Sequence, residues 1–119
     1  TEARFLSFYC PPPYLSGCSQ AIWPGDAPLM VRNYDYAPRA FDAVVLKTRW
    51  QGRGVIGMTD GLFGLVDGIN DAGLAVSLTF GGRRAVGRGF GVPLILRYVL
   101  QTCTTVEEAP ILRRIASRC

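Results

Sequence analysis

Leu65 to Phe80, LVDGINDAGLAVSLTF, is the stretch that decides the fold. Its last seven residues alternate: Leu74, Val76, Leu78 and Phe80 fall on one face, Ala75, Ser77 and Thr79 on the other. That is the period of an extended strand, whose successive side chains point to opposite sides. Large residues on one face and small ones on the other suit a sheet packed on both sides. Just upstream, Leu65 to Ile69 predicts another strand, and Asn70-Asp71-Ala72-Gly73 supplies the turn between the two. A connection this short joins antiparallel neighbours.

The same reading extends outward. Cys18 to Trp23 predicts a strand turned by Pro24-Gly25-Asp26, and Pro28 to Tyr36 a second. Phe41 to Trp50 is turned by Gln51-Gly52-Arg53-Gly54, and Val55 to Thr59 ends at Asp60-Gly61, a strong hairpin signal. Beyond a Gly/Arg loop from Gly81 to Gly91 the period changes. Val92, Ile95, Leu96 and Val99 recur as on a helix, with Pro93 tolerable in the first turn. A second helix is expected from Thr104 or Thr105, since Thr104-x-x-Glu107 and Thr105-x-x-Glu108 both fit a capping box. Its apolar face holds Ile111, Leu112 and Ile115. Strands followed by helices indicate an α+β fold: an antiparallel sheet meander, then two helices on one sheet face. Residues 1–17 read as a separate segment ahead of the body, 18–119, because Pro11, Pro12 and Pro13 favour an extended, semi-rigid chain.

The chain has 119 residues, which fits one domain. At 49% hydrophobic and 18% charged it is not a disordered sequence. No apolar run approaches the roughly 20 residues of a membrane span, and no signal-peptide pattern opens the chain. The net charge of +4 prompts a check for nucleic-acid binding. Only Arg83, Arg84 and Arg88 cluster, in a Gly-rich stretch that reads as a solvated loop, so neither nucleic acid nor membrane is the expected partner. No Gly-Lys-Ser/Thr follows those glycines, which argues against nucleotide binding. Cys10, Cys18, Cys103 and Cys119 contain no C-x-x-C pair, so no metal and no cofactor is expected, and reduced thiols suit a cytoplasmic setting.

There is no His. That removes Ser-His-Asp and Cys-His catalysis. A cysteine nucleophile then needs another base, and the α-amino group of the nucleophile itself is one. Gly17-Cys18-Ser19 followed by Arg32-Asn33-Tyr34-Asp35 supplies the parts. If the Gly17–Cys18 bond is cut, the new amine takes the proton, Arg32 brings positive charge that favours thiolate, and Asp35 holds the amine. The alternative is that Arg32 and Asp35 form only a structural ion pair. Three residues apart on a regular strand, they face opposite ways, so a shared site requires a bulge near Asn33-Tyr34. Cys10, Cys103 and Cys119 read as packing residues, Asp67 and Asn70 as turn and sheet-edge residues, and Trp23 and Trp50 as core or pocket walls.

These motifs resemble the choloylglycine hydrolase and penicillin acyltransferase-like N-terminal nucleophile (Ntn) amidases. The matching elements are Gly17-Cys18-Ser19, the Arg32 to Asp35 block, Asp67 to Leu74, and Val92 to Arg97 leading into Thr105 to Ala109. Together they cover about residues 17–113, and the peptide ahead of Cys18 looks more like the acyltransferase branch. The resemblance implies a four-layer αββα sandwich, autocatalytic cleavage at Gly17-Cys18, and attack on a linear amide through an acyl-enzyme. Cys18, Arg32 and Asp35 match the family's catalytic positions. Where the family has a substrate-contacting Asn, this chain has Thr79 or Phe80. The family's further Asn and Arg belong to a following half, expected beyond Cys119. The expected partners are therefore a small-molecule amide substrate and either that C-terminal portion or another copy. The alternative is a non-catalytic fragment or binding module that pairs with another chain.

Overall fold

The computed structural model describes residues 17–35, 37–40, 42–60, 63–79 and 88–110. Phe80, Cys10, Cys119 and the apolar positions Ile111, Leu112 and Ile115 lie outside them. The described strands are β1 (Gly17–Trp23), β2 (Leu29–Asp35), β3 (Val45–Trp50), β4 (Arg53–Asp60), β5 (Gly64–Asn70) and β6 (Ala75–Ser77). The helix is α1 (Val92–Thr102). This is a small α+β arrangement in which every strand pairing is antiparallel.

The expected meander is divided into two sheets. β1 and β2 form a two-stranded sheet, and β3-β4-β5-β6 form a four-stranded one in chain order. The division falls where the sequence stops alternating. A 3-10 turn at Pro38–Ala40 and Ala43 at φ 51° carry the chain out of extended geometry between β2 and β3. The β3–β4 turn is of the kind hairpins favour: Gln51 and Gly52 both take positive φ, 53° and 82°, between the paired residues Trp50 and Arg53.

One face of the four-stranded sheet carries the core. Val55, Leu65, Leu74 and Val76 pack there against Leu96, Val99 and Leu100 of α1, with Cys103 and Ala109 at the margin. Each buried Leu or Val of this kind stabilises the fold by about 1.5–3 kcal/mol. In the cross-strand pair Gly57–Gly68, Gly68 lets the helix lie close and Gly57 lets the two strands approach. A Cβ on Gly68 would come within 2.8 Å of Leu100 Cδ1, and one on Gly57 within 2.3 Å of the Asp67 carbonyl.

Three expectations are corrected. The β1–β2 ladder runs from Gly17–Asp35 to Trp23–Leu29 with no shift, so no bulge exists at Asn33-Tyr34. β2 has no glycine, and its exposure alternates residue by residue as in a regular strand. Second, residues 104–108 turn and helical geometry returns only at Pro110, so the second helix does not start at Thr104 or Thr105. The Glu108 carboxylate accepts the Thr104 N–H at 2.6 Å, a reach of four residues where a capping box spans three. Third, Trp23 is 74% exposed on β1, and Trp50 is half-exposed at the end of β3, so neither is a core residue.

Candidate active site around Cys18

Cross-strand partners share a face, so the pairs Cys18–Tyr34 and Gln20–Arg32 put these four side chains on one side of the hairpin. The diagonal is short enough for contact. Arg32 Nη2 donates to Cys18 Sγ at 3.3 Å. The guanidinium also lies 5.1 Å from the centre of the Tyr34 ring. Its other terminus leaves the hairpin. Nη1 donates to Asp67 Oδ2 at 3.1 Å and to the Val66 carbonyl at 2.9 Å, both on β5. A single side chain thus ties the sulfur on the small sheet to the larger one.

The pairing of β5 with β4 slips beside both acceptors. Met58 pairs with Asp67 and Thr59 with Leu65, which leaves Val66 as the extra residue. Its carbonyl lies on the β6 side, continuing the β5–β6 register, and accepts both Arg32 Nη1 and the Leu78 N–H, the latter at 2.8 Å. The slip also frees the Met58 N–H, which donates to Asp67 Oδ1 at 3.1 Å. Each Asp67 oxygen therefore has its own donor. The irregularity on β5 is a separate feature: none exists at Asn33-Tyr34, where it was expected.

The structure brings Cys18 and Arg32 together but not Asp35. Asp35 is exposed on the other face of the hairpin, across from Gly17. A Cβ on Gly17 would stand 3.5 Å from Asp35 Cβ. Asp35 is thus beside the Gly17–Cys18 bond rather than beside the sulfur. Thr79 is half-buried, one residue beyond Leu78, whose N–H shares the Val66 carbonyl with Arg32. Phe80 lies outside the described residues. Cys18 is half-buried and Cys103 buried, each outside any disulfide.

Asp67 is the residue that sequence reasoning passed over. The signal was present: an Asp in the middle of a strand between Val66 and Ile69 is unfavourable unless something there needs it. Across from it on β6 stands Ser77, whose Oγ is buried with no hydrogen-bond partner among the described residues. Asn70, by contrast, is structural. It is 5% exposed, and its Nδ2 donates to the carbonyls of Leu100 at 3.0 Å and Cys103 at 2.8 Å, closing the end of α1. Its Oδ1 accepts the N–H groups of Ala72 and Leu74. Asp71 beside it braces two turns. The Gly54 N–H holds its carboxyl below the usual carboxylate range, partly offset by desolvation, with Arg53 and Arg49 adding to the effect.

A sequence profile of the acyl-coenzyme A:6-aminopenicillanic acid acyl-transferase family matches residues 23–119. The chain belongs to that family. The match takes in Arg32, Asp35, Asp67 and Thr79 and begins downstream of Cys18. It places the chain in the penicillin acyltransferase-like branch of the Ntn enzymes, a family of acyltransferases and hydrolases. Neither a curated protein nor a solved structure matches the chain. Among the described residues, no helix of this acyltransferase-family chain is long and apolar enough to cross a membrane.

Proposed function

We propose that this acyltransferase-family protein is a cysteine Ntn hydrolase or acyltransferase acting on a linear amide C–N bond, activated by self-cleavage at Gly17–Cys18. The observation that carries the reading is the Arg32 guanidinium seated 3.3 Å from Cys18 Sγ in a chain of this family. In the cleavage step Cys18 Sγ adds to the Gly17 carbonyl, the peptide C–N bond breaks, and water hydrolyses the thioester. The products are a carboxylate on Gly17 and a free amine on Cys18. That amine then takes the thiol proton, and sulfur attacks the substrate carbonyl. The proton passes to the departing amine, and water or a second nucleophile takes the acyl group from sulfur. Arg32 donates a hydrogen bond to the sulfur and so orients it. Asp35, across from Gly17, is placed beside the bond that must break and holds the amine that results. Thr79 or Phe80 contacts the substrate. In this reading the two sheets belong to a four-layer αββα sandwich, with the remainder supplied by a following half, and the cysteines outside disulfides fit a cytoplasmic setting.

Intact mass of the full-length gene product tests the proposal. A species beginning at Cys18 is expected, and its loss in Cys18→Ala. An uncut protein that still turns over an amide would sink the mechanism.

A second reading has its own observation. Ile22, Trp23, Leu29 and Val31 are all more than half exposed on the β1–β2 hairpin. An apolar surface of that kind suits pairing with another chain or another copy. A clean monomer by light scattering, with no dye-binding apolar surface, would exclude it.

A further inference from the structure

We infer that Asp67 is a positioning residue for Arg32: together with the Val66 carbonyl it clamps the guanidinium so that Nη2 stays on the Cys18 sulfur. The functional meaning rests on Cys18 being the nucleophile; the geometry does not. Arg32 stands on a two-stranded hairpin, and an arginine side chain has many rotamers whose entropy must be overcome to hold one pose. On β2 itself the guanidinium has the Tyr34 ring, 5.1 Å from its centre, which fixes no N–H direction. The selection comes from β5, where Nη1 finds Asp67 Oδ2 at 3.1 Å and the Val66 carbonyl at 2.9 Å. With Nη1 fixed by two acceptors, the planar guanidinium leaves Nη2 one direction, and that direction meets Sγ at 3.3 Å. Asp67 is itself held, because Oδ1 accepts the Met58 N–H at 3.1 Å. The clamp is therefore built into backbone, through the slip in register at Met58 and Thr59.

Two roles for Asp67 predict opposite results. A carboxylate that merely neutralises Arg32 weakens its effect on the sulfur, so removing it should make Cys18 more reactive. A carboxylate that places Arg32 should make Cys18 less reactive when removed. The measurement is the iodoacetamide alkylation rate of Cys18 near neutral pH, followed by peptide mass mapping of the full-length protein. Cys103, buried in the core, reports unfolding in the same digest. Asp67→Ala is expected to slow Cys18 about threefold to tenfold, matching Arg32→Met, with the double variant no slower than Arg32→Met alone. Cys103 stays protected throughout. Wild-type or faster labelling of Cys18 in Asp67→Ala, or slowing that adds to that of Arg32→Met, overturns the inference. If Asp67→Ala exposes Cys103, the equal-sized Asp67→Asn decides. Its amide cannot accept from both Met58 and Arg32, so slow Cys18 with protected Cys103 is expected, and exposed Cys103 there makes Asp67 purely structural. Alkylation needs no self-cleavage. An uncut protein that shows the expected pattern and still turns over an amide would therefore end the self-cleavage reading and leave the clamp standing.

Discussion

Replacing Asn70 by Asp tests how the β5–β6 turn and α1 are joined. The swap keeps size and shape but removes two donors. Asn70 Nδ2 now serves the Leu100 and Cys103 carbonyls at 3.0 and 2.8 Å, and the residue is 5% exposed. Two lost hydrogen bonds cost about 1–3 kcal/mol. An unpaired buried carboxylate facing two carbonyl oxygens raises the total to about 3–5 kcal/mol. Against a usual stability of about 5–15 kcal/mol that is a large fraction. The two acceptor bonds from Ala72 and Leu74 survive, so the loop itself is spared. The penalty must depend on pH. Burial and the facing carbonyls raise the introduced carboxyl's folded pKa above its unfolded value of about 3.9. Stability is then retained below that unfolded value and lost as pH rises through the folded one. Urea unfolding of the full-length protein, followed by tryptophan fluorescence and far-UV circular dichroism against wild type at each pH, reads the difference. The gap should narrow by about 1–2 kcal/mol in acid, where the protonated carboxyl regains one donor. Asn70→Ala should show a comparable deficit with no such narrowing. A neutral-pH penalty below about 1 kcal/mol, or a gap indifferent to pH, would refute the assignment of Asn70 as the tie between turn and helix.

Asp71 supplies an acid-sensitive brace of opposite sign. Its depressed carboxyl stabilises the fold above the unfolded carboxyl value, and that contribution disappears as pH falls through the folded one. Wild type should therefore exceed Asp71→Asn in urea midpoint at neutral pH and converge with it in acid; a constant gap would contradict this. Ser77→Ala removes a buried hydroxyl that has no partner among the described residues, so thermal unfolding should show unchanged or slightly raised stability, by up to about 1 kcal/mol. A clear loss of stability would mean the hydroxyl is satisfied in the folded protein. Loss of turnover with unchanged stability would place it against substrate.

The strands and the helix were legible because their signals are local. Leu74 and Val76 are buried while Ala75 is exposed, as the alternation required, and Val92 to Val99 form the helix their spacing indicated. Asn70 as a turn residue was equally readable, because its Oδ1 serves its own next turn. Its second role was not, since Leu100 and Cys103 come near it only when α1 folds back over the sheet. The candidate site divides the same way. Cys18 and Arg32 were named from their residue types and motif, and fourteen positions of chain folded into one hairpin bring them into contact. Whether Asp35 joins them depended on register. An unbroken ladder leaves residues three apart on opposite faces, so Asp35 stands by Gly17 instead. Asp67, thirty-five positions from Arg32, had no local reason to matter. By itself the sequence determined the periodicities, the turns and which residues are candidates for the site, because these follow from each residue and its near neighbours. The tertiary structure alone decided which carboxylate meets Arg32, because Asp67 and the Val66 carbonyl stand on β5 of the other sheet and reach the guanidinium only once the two sheets are packed.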